Sequence, residues 1–150
     1  MSKYLDEFVV GEKFVTPART ITETDVVMFA AMTGDYNQIH TDAREMAKSQ
    51  FGQRLAHGLL CLAVSHGLFF RLDFISTTAI AFASIDEWKF LSPVFIGNTI
   101  HCDIEVADIV FSKSKPDRGV LKLKFEIFNE DTGKIAQSGI KSIMLKRKPA

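Results

Sequence analysis

The chain has 150 residues, enough for one domain with a real core. Its composition, 47% hydrophobic and 24% charged, is close to the globular average and excludes a largely disordered chain. Lys plus Arg equals Asp plus Glu at 18 each, so the formal charge is zero, whereas a nucleic-acid binder of this size normally carries a basic excess.

The most apolar stretch, Leu55 to Phe70, is interrupted by His57, Ser65 and His66 and followed by Arg71. It is too short and too polar to span a bilayer. The first residues, Met-Ser-Lys-Tyr-Leu-Asp-Glu, are polar and acidic, unlike a secretory signal. Cys61 and Cys102 lie far apart in apolar runs and make neither a metal-ligand spacing nor a disulfide framework. The expectation is a soluble cytoplasmic protein with reduced thiols, bound to neither membrane nor nucleic acid.

In chain order, Phe8 to Val15 reads as a short strand with a turn at Gly11. Thr22 followed three residues later by Asp25 predicts a capped helix start, and the helix continues through Phe29 and Ala31 to stop at Gly34. Thr41 or Asp42 caps a second short helix over residues 42–49, closed by Gly52. Gly58 to Phe70 predicts a helix apolar on nearly all sides, and such a helix is buried. A strand is predicted from Ile80 to Phe90. Two further strands show a strict period of two, at Ile100, Cys102, Ile104 and Val106 and at Leu121, Leu123, Phe125 and Ile127. Asn129 to Gly133 reads as a hairpin loop into a last strand, Lys134 to Lys146. No linker or repeat divides the chain. The predicted fold is therefore α+β, a single hot-dog domain over residues 1–150, with a curled antiparallel sheet wrapped around the central helix.

The chemistry-bearing segment is Met28 to His40. Asp35, Asn37 and His40 follow the helix stop within six residues. A carboxylate and an imidazole from one loop offer a base and a proton donor near neutral pH, while Asn37 can hold a water or a loop carbonyl. Read alone, Asp after Gly and Asn beside it are also ordinary turn residues. The second segment is Leu55-Ala-His-Gly-Leu-Leu60. A helix N-terminus presents free N–H groups, and Gly58 lets an oxygen bearing developing charge come close. The alternative is that Gly58 only relieves crowding. His66 and His101 read as structural residues, Cys61 and the phenylalanines 69, 70, 74, 82 and 90 mostly as core, and the four histidines form no zinc spacing. Lys113, Lys115 and Arg118 read as a soluble loop with a second possibility of contacting substrate phosphates. Lys141 to Lys148 reads as a solvated strand end.

Three motifs resemble one family. Phe29-Ala-Ala-Met-Thr-Gly-Asp-Tyr-Asn-Gln-Ile-His-Thr-Asp42, Phe51-Gly-Gln-Arg-Leu-Ala-His-Gly58 and Phe90-Leu-Ser-Pro-Val-Phe-Ile-Gly-Asn-Thr-Ile100 are similar, in this order, to the signatures of MaoC-like dehydratases, or (R)-specific enoyl-CoA hydratases. The resemblance runs from about Val10 to the end of the chain. It implies a homodimer with joined sheets, open to higher assembly, and a trans-2-enoyl or (R)-3-hydroxyacyl thioester as substrate, carried on coenzyme A or acyl carrier protein. It also implies Asp35 and His40 as the acid–base pair, the Gly58 N–H as oxyanion donor, Asn37 as support, and no metal or cofactor. Two positions depart from the pattern. Gln38 stands where Pro is usual, which frees the loop, and Asn98 stands for Asp in a turn. A hot-dog thioesterase and a non-catalytic acyl-binding or scaffold subunit are the competing readings. Residues 71–83 are where acyl-chain length would be set.

Overall fold

The computed structural model describes residues 2–149. A 3-10 turn (Leu5–Glu7) precedes β1 (Lys13–Val15), β2 (Arg19–Thr20), α1 (Glu23–Thr33), α2 (Gln38–Thr41), α3 (Ala43–Met46) and α4 (Gly58–Phe70). The long strands β3 (Ala79–Phe90), β4 (Thr99–Phe111), β5 (Arg118–Asn129) and β6 (Lys134–Lys146) follow. The strands form one antiparallel sheet in the order β1-β4-β5-β6-β3, with β2 also paired to β4. This is the expected hot-dog arrangement.

The alternation seen in the sequence sets which face is dry. Ile100, Cys102, Ile104 and Val106 of β4 and Leu121, Leu123, Phe125 and Ile127 of β5 are all buried and meet Cys61, Val64, Leu68 and Phe69 of α4. Burying each such side chain contributes about 1.5–3 kcal/mol before entropy is subtracted. Burial also pushes the Cys61 and Cys102 thiols up to about 12, so both are inert packing groups. No helix among the described residues is long and apolar enough to cross a membrane.

Several expectations are corrected. The first strand is only Lys13–Val15, because Leu5–Glu7 forms a 3-10 turn and Gly11, at φ 87°, turns the chain. The helix expected over 42–49 is a single turn, Ala43–Met46, capped by Asp42 as expected, and a further turn that was not expected, Gln38–Thr41, precedes it, capped by Asn37. α4 is not covered on all sides. Leu59 is exposed, and Leu62, His66 and Phe70 are half-buried, so one stripe of the helix lies open within a single chain. Of the five phenylalanines read as mostly core, only Phe69 is fully buried. Phe82 and Phe90, on edge strand β3, are 44% and 57% exposed. Lys141 is not a solvated strand end but sits in the core at 1% exposure. Its parity along β6 matches Ile143 and Leu145, which point at α4.

Candidate active site

α1 opens with the reciprocal capping box of Thr22 and Asp25 and closes at Gly34, whose φ of 77° is the left-handed conformation that glycine adopts without strain. That turn releases Asp35 from the helix. The Asp35 carboxylate then accepts from the Asn37 N–H at 3.3 Å, and the Asn37 side chain accepts from the Ile39 N–H at 3.1 Å. These local bonds start α2 and place His40 on it, so His40 stands on a short helix rather than on a loop. Gln38 is the first residue of α2, a position proline favours. The departure therefore loosens the entry to the turn and removes no functional atom.

His40 is buried, and Asp35 is half exposed. The His40 Nδ1 lies 2.7 Å from the Leu55 carbonyl oxygen. A carbonyl only accepts, so Nδ1 carries the proton and Nε2 is left as a bare acceptor. That Nε2 faces the Asp35 Oδ2 at 3.9 Å. Burial holds the His40 pKa below its ordinary value. The Leu55 bond opposes this, His57 adds to it, and Asp35 opposes it. His40 is therefore a neutral base at pH 7.

His40 Nε2 and Asp35 Oδ2 are two acceptors separated by about the span of one water. A water donating one O–H to each could sit at about 2.8 Å from both. His40 and the Gly58 backbone also share a cleft of about 400 Å³, walled by Phe51, Phe90, Val94 and Gln137. Asp35 meets His40 from beside that cleft and is not part of its lining. Gly58 is the first residue of α4, so its N–H belongs to the orphan donors of the helix mouth. The crowding argument for Gly58 holds as well, since a Cβ there would come within 2.7 Å of the Phe90 ring.

His57 carries no functional signal of its own in the sequence. It is buried, stacks on His40 with ring centroids 3.8 Å apart, and touches Phe29 on its other side at 4.9 Å. Its Nε2 donates to the Asp35 carbonyl at 3.0 Å, while Nδ1 is buried without a partner. Asp35, His40 and His57 bring ligand-type atoms within 4.8 Å of one another. The lone pairs of stacked imidazoles lie in nearly parallel planes, 25° apart here, and run side by side rather than converging on one ion. One nitrogen of each ring already serves a carbonyl. The set suits proton handling better than metal coordination.

Asn37 stands in the turn between Asp35 and His40, and the other polar residues singled out in the sequence lie outside the site. Asn37 caps α2, and Asn98 accepts from the Phe95 N–H and the Asn129 amide, a turn role. His101 is paired with Glu130 on the surface. Lys113, Lys115 and Arg118 lie at the far end of β4 and β5, about 30 Å of strand from Gln137 at the cleft, and Arg118 is paired with Asp117. Within one chain they do not reach the cleft.

A hot-dog fold with a carboxylate–imidazole pair beside the mouth of its central helix defines the class. The MaoC like domain family matches residues 7–123, and the chain belongs to that family of dehydratases and hydratases. Three relatives illustrate it. The MaoC protein of Klebsiella aerogenes is 38% identical over 98 residues, 65% of this chain but only 29% of that protein. The 3-hydroxybutyryl-CoA dehydratase of Methylorubrum extorquens is 33% identical over 71% of this chain and 66% of its own. The (R)-specific enoyl-CoA hydratase of Rhodospirillum rubrum is 29% identical over 73% and 74%. Among solved structures, the monoamine oxidase regulatory protein of Archaeoglobus fulgidus superposes with a TM-score of 0.90 at 32% identity, covering 99% of this chain and 97% of that one. A Mycobacterium tuberculosis protein described as a double hot-dog fold gives 0.86 at 19% identity, over 99% of this chain and 45% of that one, a likeness of fold.

Proposed function

We propose that the protein adds water to trans-2-enoyl thioesters, giving (R)-3-hydroxyacyl thioesters, or runs the same reaction backwards as a dehydratase. The observation that carries this reading is the 3.9 Å gap between His40 Nε2 and Asp35 Oδ2, two acceptors beside a helix mouth. A water held there loses one proton to the pair as its oxygen bonds to C3. The C2–C3 double-bond electrons shift toward the thioester oxygen, which the Gly58 N–H stabilises. The pair then returns the proton to C2, so one water is consumed and no electrons leave the system. Asn37 supports the turn that presents both groups. Water addition is not a redox step, and the one proton it moves comes from the water and is relayed by the pair, so the reading assigns no cofactor.

The substrate rides on coenzyme A or on acyl carrier protein, in a protein of the cytoplasm. β3 ends the sheet with a free edge carrying Ile80, Phe82, Ile85 and Phe90, and a second copy of the chain is the partner assigned to it. The test is hydration of crotonyl-CoA by the purified chain, followed as loss of the conjugated-thioester absorbance. Turnover without thiol release is expected. Thiol release without loss of the double bond would establish a thioesterase instead. No turnover by the isolated chain would favour the scaffold reading.

A further inference from the structure

The N–H that the proposed reaction relies on belongs to the residue least able to hold it still. Gly58 has no side chain to limit φ and ψ, and it sits at the frayed end of a helix. Helices usually restrain this end with a side-chain cap, yet His57 at the capping position makes no such bond.

The Cys61 N–H holds the His57 carbonyl at 3.2 Å from within the helix, and the second restraint comes from the sheet. The Gln137 side chain reaches from β6 and donates through Nε2 to the Gly58 carbonyl at 2.8 Å. Its Oε1 accepts from the Trp88 indole Nε1 at 2.9 Å. An indole N–H only donates, so the amide oxygen must face Trp88 and the NH2 must face Gly58. Trp88 therefore fixes which end of the amide meets the helix.

The backbone is shaped to allow this. β3 breaks register with β6 between Asp86 and Lys89, and Glu87 in that bulge is held at φ 52°, a conformation costly for a residue with a side chain. The bulge turns Trp88 inward over Gly139, where a Cβ would come within 2.6 Å of the indole. Gln137, Gly139 and Lys141 share one inward parity, so the missing side chain at Gly139 is the slot that the ring fills. From the cleft side, the Phe90 ring lies against Gly58. The buried Gln137 amide and the half-buried Trp88 indole N–H are matched donor to acceptor, and a satisfied polar pair of this kind fixes one arrangement of the groups it touches.

We propose that Gln137 and Trp88 are positioning residues: they pin the Gly58 carbonyl and with it the Gly58 Cα, so that the Gly58 N–H, whose own peptide is held on its other side through the His57 carbonyl, keeps one aim toward the thioester oxygen. This deepens the hydratase reading and rests on it.

The test is crotonyl-CoA hydration by wild type, Gln137→Met, Gln137→Glu, Trp88→Phe and the Gln137→Met/Trp88→Phe double variant. Misaiming the donor lowers kcat by about tenfold to a hundredfold in Gln137→Met, with KM within about twofold, the ordinary scatter for a group that binds no substrate. Trp88→Phe gives a smaller fall, and the double variant is no worse than Gln137→Met alone, because both act through one bond. Gln137→Glu keeps the shape but faces the Gly58 carbonyl with an acceptor. Its kcat relative to wild type rises as the pH is lowered and the carboxyl regains a donor. If Gln137→Met does not fold, Gln137→Glu and Trp88→Phe carry the test. Wild-type kcat in the Gln137 variants, a loss confined to KM, or losses that simply add overturns the proposal. A wild type inert toward enoyl thioesters but cleanly folded overturns the hydratase reading itself, and this inference with it.

Discussion

The imidazole of His40 lies against that of His57, with planes 25° apart, while His57 Nε2 holds the carbonyl of Asp35, the residue His40 faces. One buried ring thus supports both members of the pair, flanking one and tethering the backbone of the other. Two consequences can be measured. Burial keeps the His40 pKa below the ordinary 6.5. A base works above its pKa, so the acid limb of kcat/KM for hydration falls below pH 6.5 rather than at it. His57→Phe keeps a flat ring beside His40 but removes the donor to Asp35. It lowers kcat by about tenfold as the Asp35 turn loosens.

Removing the pair itself has a larger effect. Asp35→Asn and His40→Ala each reduce turnover by about 10²–10⁴-fold, the usual share of a general acid–base group. Their stabilities differ, because the environments differ. Asp35 is half exposed, so Asp35→Asn melts close to wild type. His40→Ala strands the buried Leu55 carbonyl and costs about 1–3 kcal/mol, read as a lower Tm. Wild-type turnover in Asp35→Asn would remove Asp35 from the mechanism.

The residues with a local signal were legible in the sequence. The capping box at Thr22, the turn at Gly34 and the alternation in β4 and β5 are local patterns, and the structure has them all. The single-turn helices at Asn37 and Asp42 were harder, because caps two to five residues apart compete with one longer helix. His57, Gln137 and Trp88 carry no motif for what they do. Their partners lie 17, 79 and 49 residues away in the chain, at His40, Gly58 and Gln137. One signal was present but unused. Gln137 and Lys141 sit at the inward parity of β6, where a polar residue needs a buried partner.

The free edge of β3 gives a third prediction. The outer edge of a twelve-residue strand, without a partner among the described residues and carrying several exposed apolar side chains, makes a template for another copy of the chain. Ile85→Lys places a charge on that edge. Wild type is expected to sediment as a dimer or larger, and Ile85→Lys to shift toward monomer at equal concentration. An Ile85→Lys variant that stays dimeric would put the interface elsewhere.

Lys141 gives the last. Its Nζ donates to the Ser65 hydroxyl at 2.7 Å and lies 4.2 Å from the centre of the Phe125 ring, and among the described residues no carboxylate forms an ion pair with it. Burial brings its pKa down to about 8 from 10.5, with the Cys102 sulfur acting in the opposite sense. That difference corresponds to about 3 kcal/mol of instability while the amine is charged. The sign follows from proton counting. The unfolded chain keeps the Lys141 proton up to pH 10.5, and the folded chain gives it up near 8. Between those values the unfolded state binds more protons, so raising the pH stabilises the fold, and below pH 8 the full penalty is present. Lys141→Met removes the penalty together with one hydrogen bond and two ring contacts, to Phe125 and Trp88, for a net gain of about 1–3 kcal/mol at pH 7. Denaturant melts of both proteins at pH 7 and at pH 9.5 check this. The gap between them should narrow at the higher pH, and a gap that is constant or widens would mean that Lys141 keeps its proton in the fold up to pH 9.5, its pKa not lowered by burial.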